Sequence, residues 1–322
     1  MFPEGAVMAN TIIRRREALL SASAALGTSL LGTPPAFAGG ADTGTREKFS
    51  FLFITDTHLQ PELDAQKGCR MCFRQASGEA ADFVLQGGDH VFDAMEVTHE
   101  RAGKLLDLYE MTEQILGKKV YHTVGNHDCF GVYASSGCST GDPEFGKNYF
   151  RKAFGETYYA FVHKGVHFIV LDSVTITPDR DYEGRISAEQ VAWLKAYLSA
   201  IPTGTPLIIS SHIPIVTAFY TYADESPSLF KHQALSTVNT REILQLIASH
   251  NVLAVLQGHT HVLERVVHGG IPFITGGAVS GNWWHGTHLG TPEGYMVVHV
   301  NGNHVSTEYR TYGFRSVDPK NT

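Results

Sequence analysis

Phe49-Ser50-Phe51-Leu52-Phe53-Ile54-Thr55-Asp56-Thr57-His58 decides how this chain is read. A β-prone, largely apolar run leads straight into a carboxylate and an imidazole two positions apart. Four more strand-like runs also end in metal-ligand residue types. Phe83 to Leu85 precedes Gly88-Asp89, and Val120 to Val124 precedes Gly125-Asn126-His127-Asp128. Leu207 to Ile209 precedes Ser211-His212, and Val252 to Leu256 precedes Gly258-His259-Thr260-His261. Short apolar runs of this kind read as buried strands, and an α/β sheet collects its functional residues beyond the carboxyl ends of such strands. Carboxylate, imidazole and carboxamide without thiolate suit divalent Mn, Fe or Zn in a hydrolytic site. The five clusters therefore spell a site for two divalent metal ions.

Spacing sharpens that reading. Residues two apart in an extended strand project to the same side, about 6.6 Å apart along the chain. Asp56 and His58 are expected to grip one ion, and His259 and His261 to reach one ion or two neighbours. Gly88, Gly125 and Gly258 would let the chain turn at a strand end without a side chain blocking the ion. Asp89, with two carboxylate oxygens, is the candidate bridge, and Asn126 adds a ligand without adding charge.

Between the clusters the chain alternates strand and helix patterns. Helices are expected within Glu62 to Glu79, although Gly68 weakens that one, and within Ala94 to Leu116. Ser187-x-x-Gln190 and Asn239-x-x-Glu242 read as openings of two more. Tyr158 to Val162 and Val166 to Asp172 form a hairpin around Lys164-Gly165. Tyr295 to Val300 and His304 to Tyr312 form another around Asn301-Gly302-Asn303. Phe130 to Asn148 reads as a long Gly/Ser/Cys loop, a length that usually carries function. The expected fold class is α/β, a four-layer α/β/β/α sandwich of two mixed β-sheets flanked by helices.

The ordered set DxH, GD, GNH(D/E), H and GHxH resembles the calcineurin-like metallophosphoesterase superfamily, from about Phe49 to His261. The resemblance implies that Asp56, His58, Asp89 and His261 bind one metal. Asp89, Asn126, His212 and His259 bind the other, with Asp89 shared. It implies further that His127 is an acid beside the metals, oriented by Asp128. The implied reaction is hydrolysis of phosphate esters by water activated between the cations. One departure stands out. Purple acid phosphatases place a tyrosine ligand three residues after the bridging aspartate, where this chain has Phe92, so no charge-transfer colour is expected. A non-catalytic scaffold on this fold would be expected to lack ligands or the acid histidine, and here none is missing.

Other residues are candidates for substrate contact. His90 follows Asp89 and is equally readable as a structural histidine. Asp93 reads either as a partner of the site or, in preference, as a helix N-cap. Phe130 and Tyr133 could line a pocket. Trp283, Trp284 and His285, between Gly281 and Gly286, could form an aromatic rim or pack under the closing sheet.

Of the 322 residues, 43% are hydrophobic, enough for a large core. The first 38 read as a leader: Arg14-Arg15-Arg16-Glu17, an uncharged stretch from Ala18 to Thr33, then Ala36-Phe37-Ala38. This is the pattern of a signal peptide using the twin-arginine export machinery, with periplasmic or secreted destination. Its apolar stretch is short of the roughly 20 residues that span a bilayer, so no stable membrane anchor is expected. Residues 39–47 would be a flexible lead and 48–322 a single metallophosphoesterase domain with a β-rich C-terminal segment. Losing the leader removes three arginines and two glutamates from 25 basic and 32 acidic residues, leaving a net charge of −8. That balance argues against a nucleic-acid polymer and points to a small phosphate-ester substrate. The absence of Arg or Lys in the motif loops favours diesters slightly over monoesters. Only 61 residues follow His261, short for the separate substrate domain of periplasmic nucleotidases. Cys69, Cys72, Cys129 and Cys138 are expected to staple loops as disulfides, in any of three pairings.

Overall fold

Alternation along single strands sets the layering. On β1 (Phe49–Ile54), Phe51 and Phe53 face one core while Leu52 and Ile54 face another. β8 (Pro206–Ser211) does the same, with Ile208 on one side and Leu207 and Ile209 on the other. The computed structural model describes residues 47–223, 233–320 and 322. The expected leader (1–38) and residues 39–46 of the lead lie outside the described residues.

The first sheet is ordered β13-β12-β1-β2-β3, where β2 is Val84–Gln86, β3 Val120–His122, β12 Gly294–Asn301 and β13 His304–Thr311. β1, β2 and β3 are parallel, and Leu52 lies beside Val84, which lies beside Val120. Asp56, Asp89 and Asn126 consequently leave one edge together. The second sheet comprises β4 (Tyr159–His163), β5 (Val166–Leu171), β8, β9 (Asn251–Gln257), β10 (Leu263–His268) and β11 (Ile271–Gly276), in the order β10-β11-β9-β8-β5-β4. β5, β8, β9 and β11 are parallel, and β4 and β10 are its antiparallel edges. Ser211 pairs with Gln257, so His212 and His259 leave the same end.

Between the sheets lie Phe51, Phe53, Phe83, Phe168, Ile208, Leu256 and Met296, with the Phe51 and Phe83 rings stacked at 5.0 Å. Each such side chain contributes roughly 1.5–3 kcal/mol by leaving water. Outside the first sheet, α1 (Ala65–Ser77) and α2 (His99–Glu113) bury Phe73, Leu105 and Tyr109. Outside the second, helices Ala188–Ser199 and Thr240–Ile247 bury Leu194, Leu198, Ile243 and Ile247. This is the four-layer arrangement expected.

Several local expectations change. Gly68 does not weaken α1: a side chain there would collide with Trp284 and Phe314, so glycine permits the close packing. The Ser187 hydroxyl caps its helix by accepting from the Gln190 N–H, but the Gln190 amide reaches Asp172 instead of closing the box. The Asn239 side chain caps nothing and instead bridges Ile186 N–H and C=O. The disulfide expectation is overturned, because all four cysteines are free thiols. Cys69, Cys72 and Cys129 are fully buried and pack as small apolar groups, with thiols pushed up by burial. Among the described residues no helix is long and apolar enough to cross a membrane.

Candidate metal centre

Five predicted ligands occupy left-handed backbone: Asp56 (φ 53°), His58 (38°), Asp89 (55°), His259 (73°) and His261 (58°). The extended-strand explanation for Asp-x-His and His-x-His is thereby corrected. β1 ends at Ile54 and β9 at Gln257, and tight turns beyond them aim the side chains. Non-glycine residues in this region cost of order 1–3 kcal/mol each and persist only where surroundings impose them. Here the surroundings are neighbouring loops: Asp56 N–H donates to Gly88 O (3.0 Å) and His58 N–H to Asp89 O (3.1 Å). His259 N–H donates across the sheets to Asp56 Oδ1 (2.9 Å). Gly125 is glycine because a Cβ would strike the Asp89 carboxylate and backbone.

Backbone carbonyls determine which nitrogen each imidazole presents. A carbonyl only accepts, so the nitrogen facing it carries hydrogen. His58 Nδ1 donates to Phe92 O (3.3 Å), His261 Nδ1 to Gly281 O (2.6 Å) and His212 Nδ1 to Gly87 O (2.9 Å). His259 reverses the pattern, donating from Nε2 to Ala234 O (3.0 Å). In the neutral rings, lone pairs then sit on Nε2 of His58, His212 and His261 and on Nδ1 of His259.

These lone pairs converge. His58 Nε2 lies 3.0 Å from His261 Nε2, and His261 Nε2 lies 3.5 Å from Asp56 Oδ1. His212 Nε2 lies 3.2 Å from Asn126 Oδ1. Asp89 Oδ2 stands between the groups, 3.4 Å from His58 Nε2 and 3.1 Å from His212 Nε2, while its Oδ1 accepts the His127 N–H (2.9 Å). Asp56, His58 and His261 offer ligand atoms mutually within 4.8 Å, as do Asp89, His212 and His259. Acceptors facing acceptors in a buried space repel unless a cation or a proton lies among them, and Asp89 Oδ2 stands against a histidine of each group. The donors fit two divalent cations of the Mn, Fe or Zn kind.

The electrostatics agree. Burial pushes His58 down to about 4 and His259 down to about 3, and holds His261 well below the usual range, so these rings are neutral. Burial pushes Asp56 up to about 7, a penalty a cation would remove. For His212, burial lowers the value but the Asp89 carboxylate outweighs it, raising it to about 9. A proton there does the work that a cation would do.

His127 is half-buried, its ring 4.7 Å from that of His58. Its Nδ1 faces Asp93 Oδ1 at 3.5 Å. Burial lowers its pKa, but Asp89 and Asp93 more than offset this and raise it. Asp93, not Asp128, is the carboxylate that faces this ring, which corrects the Asp128 expectation: Asp128 bonds backbone N–H groups and His90 instead. Asp93 also caps the turn it begins, accepting from the N–H of Met95 (2.8 Å).

The sequence profile of the calcineurin-like phosphoesterases matches residues 49–263. The chain belongs to that family. It is 26% identical to tartrate-resistant acid phosphatase type 5 of Sus scrofa over 242 residues, 68% of this chain. The match spans 65% of that relative's length. The fold is shared with a dimetal phosphatase from Danio rerio (17% identity, TM-score 0.54, covering 82% of this chain and 99% of that one). GAP50, the anchor in the inner membrane complex of Plasmodium, shares it at 15% identity and TM-score 0.50, over 85% and 89% of the two chains.

On this phosphoesterase frame the remaining candidates separate. Trp283 lies against the site, its ring 4.2 Å from His261, 5.8 Å from His58 and 5.9 Å from His288, which the sequence reading had not singled out. Trp284 turns the other way: it is fully buried, donates Nε1–H to His58 O (2.9 Å) and packs on Phe314. His285 faces the C-terminal segment, donating Nδ1–H to Asp318 O (2.8 Å). Phe130 is buried against His99 and Tyr149. Tyr133 is half-buried, with Asp181 and Asp93 among its charged neighbours. His90 is fully buried, bonded to Asp128 and His122.

Behind His122 stands Glu113, whose carboxyl burial pushes up to about 7, with His90 opposing. Because the folded value exceeds the ordinary 4.5, the folded chain holds an extra proton between those values, and stability falls as pH rises through that window. Glu113→Gln should remove that slope, worth up to about 3 kcal/mol. Urea unfolding at both ends of the window checks this, and an unchanged slope would refute it.

Proposed function

We propose that this chain is an exported, binuclear-metal hydrolase of small phosphate esters, with a lean to diesters. The observation that carries the reading is the single carboxylate oxygen, Asp89 Oδ2, placed between two convergent sets of lone pairs. Two divalent cations held there would supply Lewis acidity toward phosphoryl oxygens and lower the pKa of water. The chain's residues do the rest. Asp56, His58 and His261 would hold one cation and Asn126, His212 and His259 the other, with Asp89 available to both. His127, whose pKa the neighbouring carboxylates Asp89 and Asp93 raise, would donate toward the leaving-group oxygen. Trp283 forms an aromatic wall beside His261.

The lean to diesters rests on charge. Arg180 spends its guanidinium on the carbonyls of Gly131, Val132, Tyr133 and Cys138, and Lys147 pairs with Asp172, so neither is offered to the second negative charge of a monoester. The relative named an acid phosphatase keeps monoesters in contention. Export through the twin-arginine machinery is supported by the adjacent arginines and Ala36-Phe37-Ala38.

A panel of diesters, monoesters and pyrophosphates, with Mn, Fe or Zn supplied, tests the reading. Fastest turnover is expected on diesters. Monoester-only turnover would reverse the lean, and metal-loaded protein without hydrolysis would leave a scaffold. Trp283→Ala should raise KM about fivefold for aryl or nucleosidyl esters and less for alkyl esters. Cell fractionation that found the protein wholly cytosolic would remove the export proposal.

A further inference from the structure

A buried string of polar side chains runs away from the candidate metal centre and takes no part in the chemistry above. Asp128 Oδ2 accepts the backbone N–H groups of Asp89 (3.0 Å) and Gly125 (2.9 Å), and its Oδ1 accepts that of His90 (2.8 Å). One carboxylate thus ties the loop carrying Asp89 to the loop carrying Asn126. A fourth partner holds it: His90 Nδ1–H donates to Oδ2 at 2.8 Å. A carboxylate oxygen accepts, so His90 Nδ1 carries the hydrogen of this contact. On the other side of the ring, His90 Nε2 and His122 Nδ1 share a hydrogen bond at 3.0 Å. Both rings stack on Phe154, at 4.6 and 4.4 Å, and Tyr109 meets the His90 ring edge-on at 4.8 Å.

We propose that His90 is a positioning residue of the metal centre, with His122 behind it, aiming the Asp128 carboxylate that holds the two ligand loops in register. The inference rests on the metal-centre reading above. A carboxylate gripping two N–H groups through one oxygen can rotate away from either, and His90 removes that freedom. Partners standing behind metal ligands commonly contribute 10- to 100-fold in metal affinity, about the effect expected here.

Packing and hydrogen bonding at this position can be separated. His90→Phe keeps the aromatic stack and loses both hydrogen bonds. His90→Asn loses the stack but keeps an N–H donor near the Nδ1 position. The full chain, stripped of metal, is titrated with Mn²⁺ by calorimetry, and kcat and KM are read at limiting and saturating Mn²⁺. H90F is expected to bind Mn²⁺ about tenfold more weakly or worse, with kcat largely restored at saturation, while H90N stays within about threefold of wild type. Any result in which H90N is not the tighter binder of the two overturns the inference. If H90F does not fold, H122F decides: it keeps the stack on Phe154 and removes the hydrogen-bond partner of His90. An affinity about threefold weaker supports the inference, and wild-type affinity overturns it. A wild-type chain that bound no Mn²⁺ would defeat the proposed function as well, whereas wild-type binding beside an unaffected variant defeats this inference alone.

Discussion

Asp89→Asn should release both cations and lower phosphate-ester hydrolysis by about 10³-fold or more. The reason is geometric as well as electrostatic. Oδ2 faces His58 Nε2 and His212 Nε2, while Oδ1 accepts the His127 N–H at 2.9 Å. An amide can place its NH₂ toward the cations, where it is no ligand. It can instead place its NH₂ against the His127 N–H, where two donors collide. Neither orientation recovers the wild-type contacts, and the charge that offsets two cations is gone. Elemental analysis of the dialysed variant, alongside its rate, is the measurement. Two retained equivalents of metal with a rate within about tenfold of wild type would remove Asp89 from the bridging role.

His127→Ala is the second large effect, with an opposite signature: both metals retained and turnover slowed by about 10²-fold or more. Nδ1 is directed at Asp93, which leaves Nε2 as the nitrogen able to reach a leaving-group oxygen. The Asp93 carboxylate raises the His127 pKa, so activity that needs the His127 proton is expected to fall as pH rises. Asp93→Asn removes that charge, so the same limb should move to lower pH while the metals stay bound. A limb that stays in place, or moves to higher pH, would assign the proton to another group. Unchanged turnover by fully loaded His127→Ala would end the acid role altogether.

The four layers were legible because alternation on strands such as β1 and β8 is a property of consecutive residues. The donor types were legible because each follows its strand within a few positions. What escaped was orientation between neighbours. His127 and Asp128 are adjacent on a single 3-10 turn (Asn126–Asp128), where successive side chains diverge by about 120°. One accordingly turns to Asp93 and the other to His90 and the loop N–H groups. Trp283 and Trp284 diverge in the same way, one against His261 and one into the core, both in left-handed backbone. The short hairpin of Val174–Ile176 and Tyr182–Gly184 also went unread, since three residues carry no usable period.

By itself, then, the order of residues determined which donors exist, that they end successive strands, and that alternating faces stack two sheets between helices. Only tertiary structure decided how those donors are presented. The left-handed turns are imposed by hydrogen bonds from other loops, and the inward nitrogen of each imidazole is chosen by the carbonyls of Phe92, Gly87, Gly281 and Ala234. Every residue possesses a carbonyl, so nothing in a side-chain alphabet marks the four that matter. Their effect exists only once the chain has brought them within hydrogen-bonding distance.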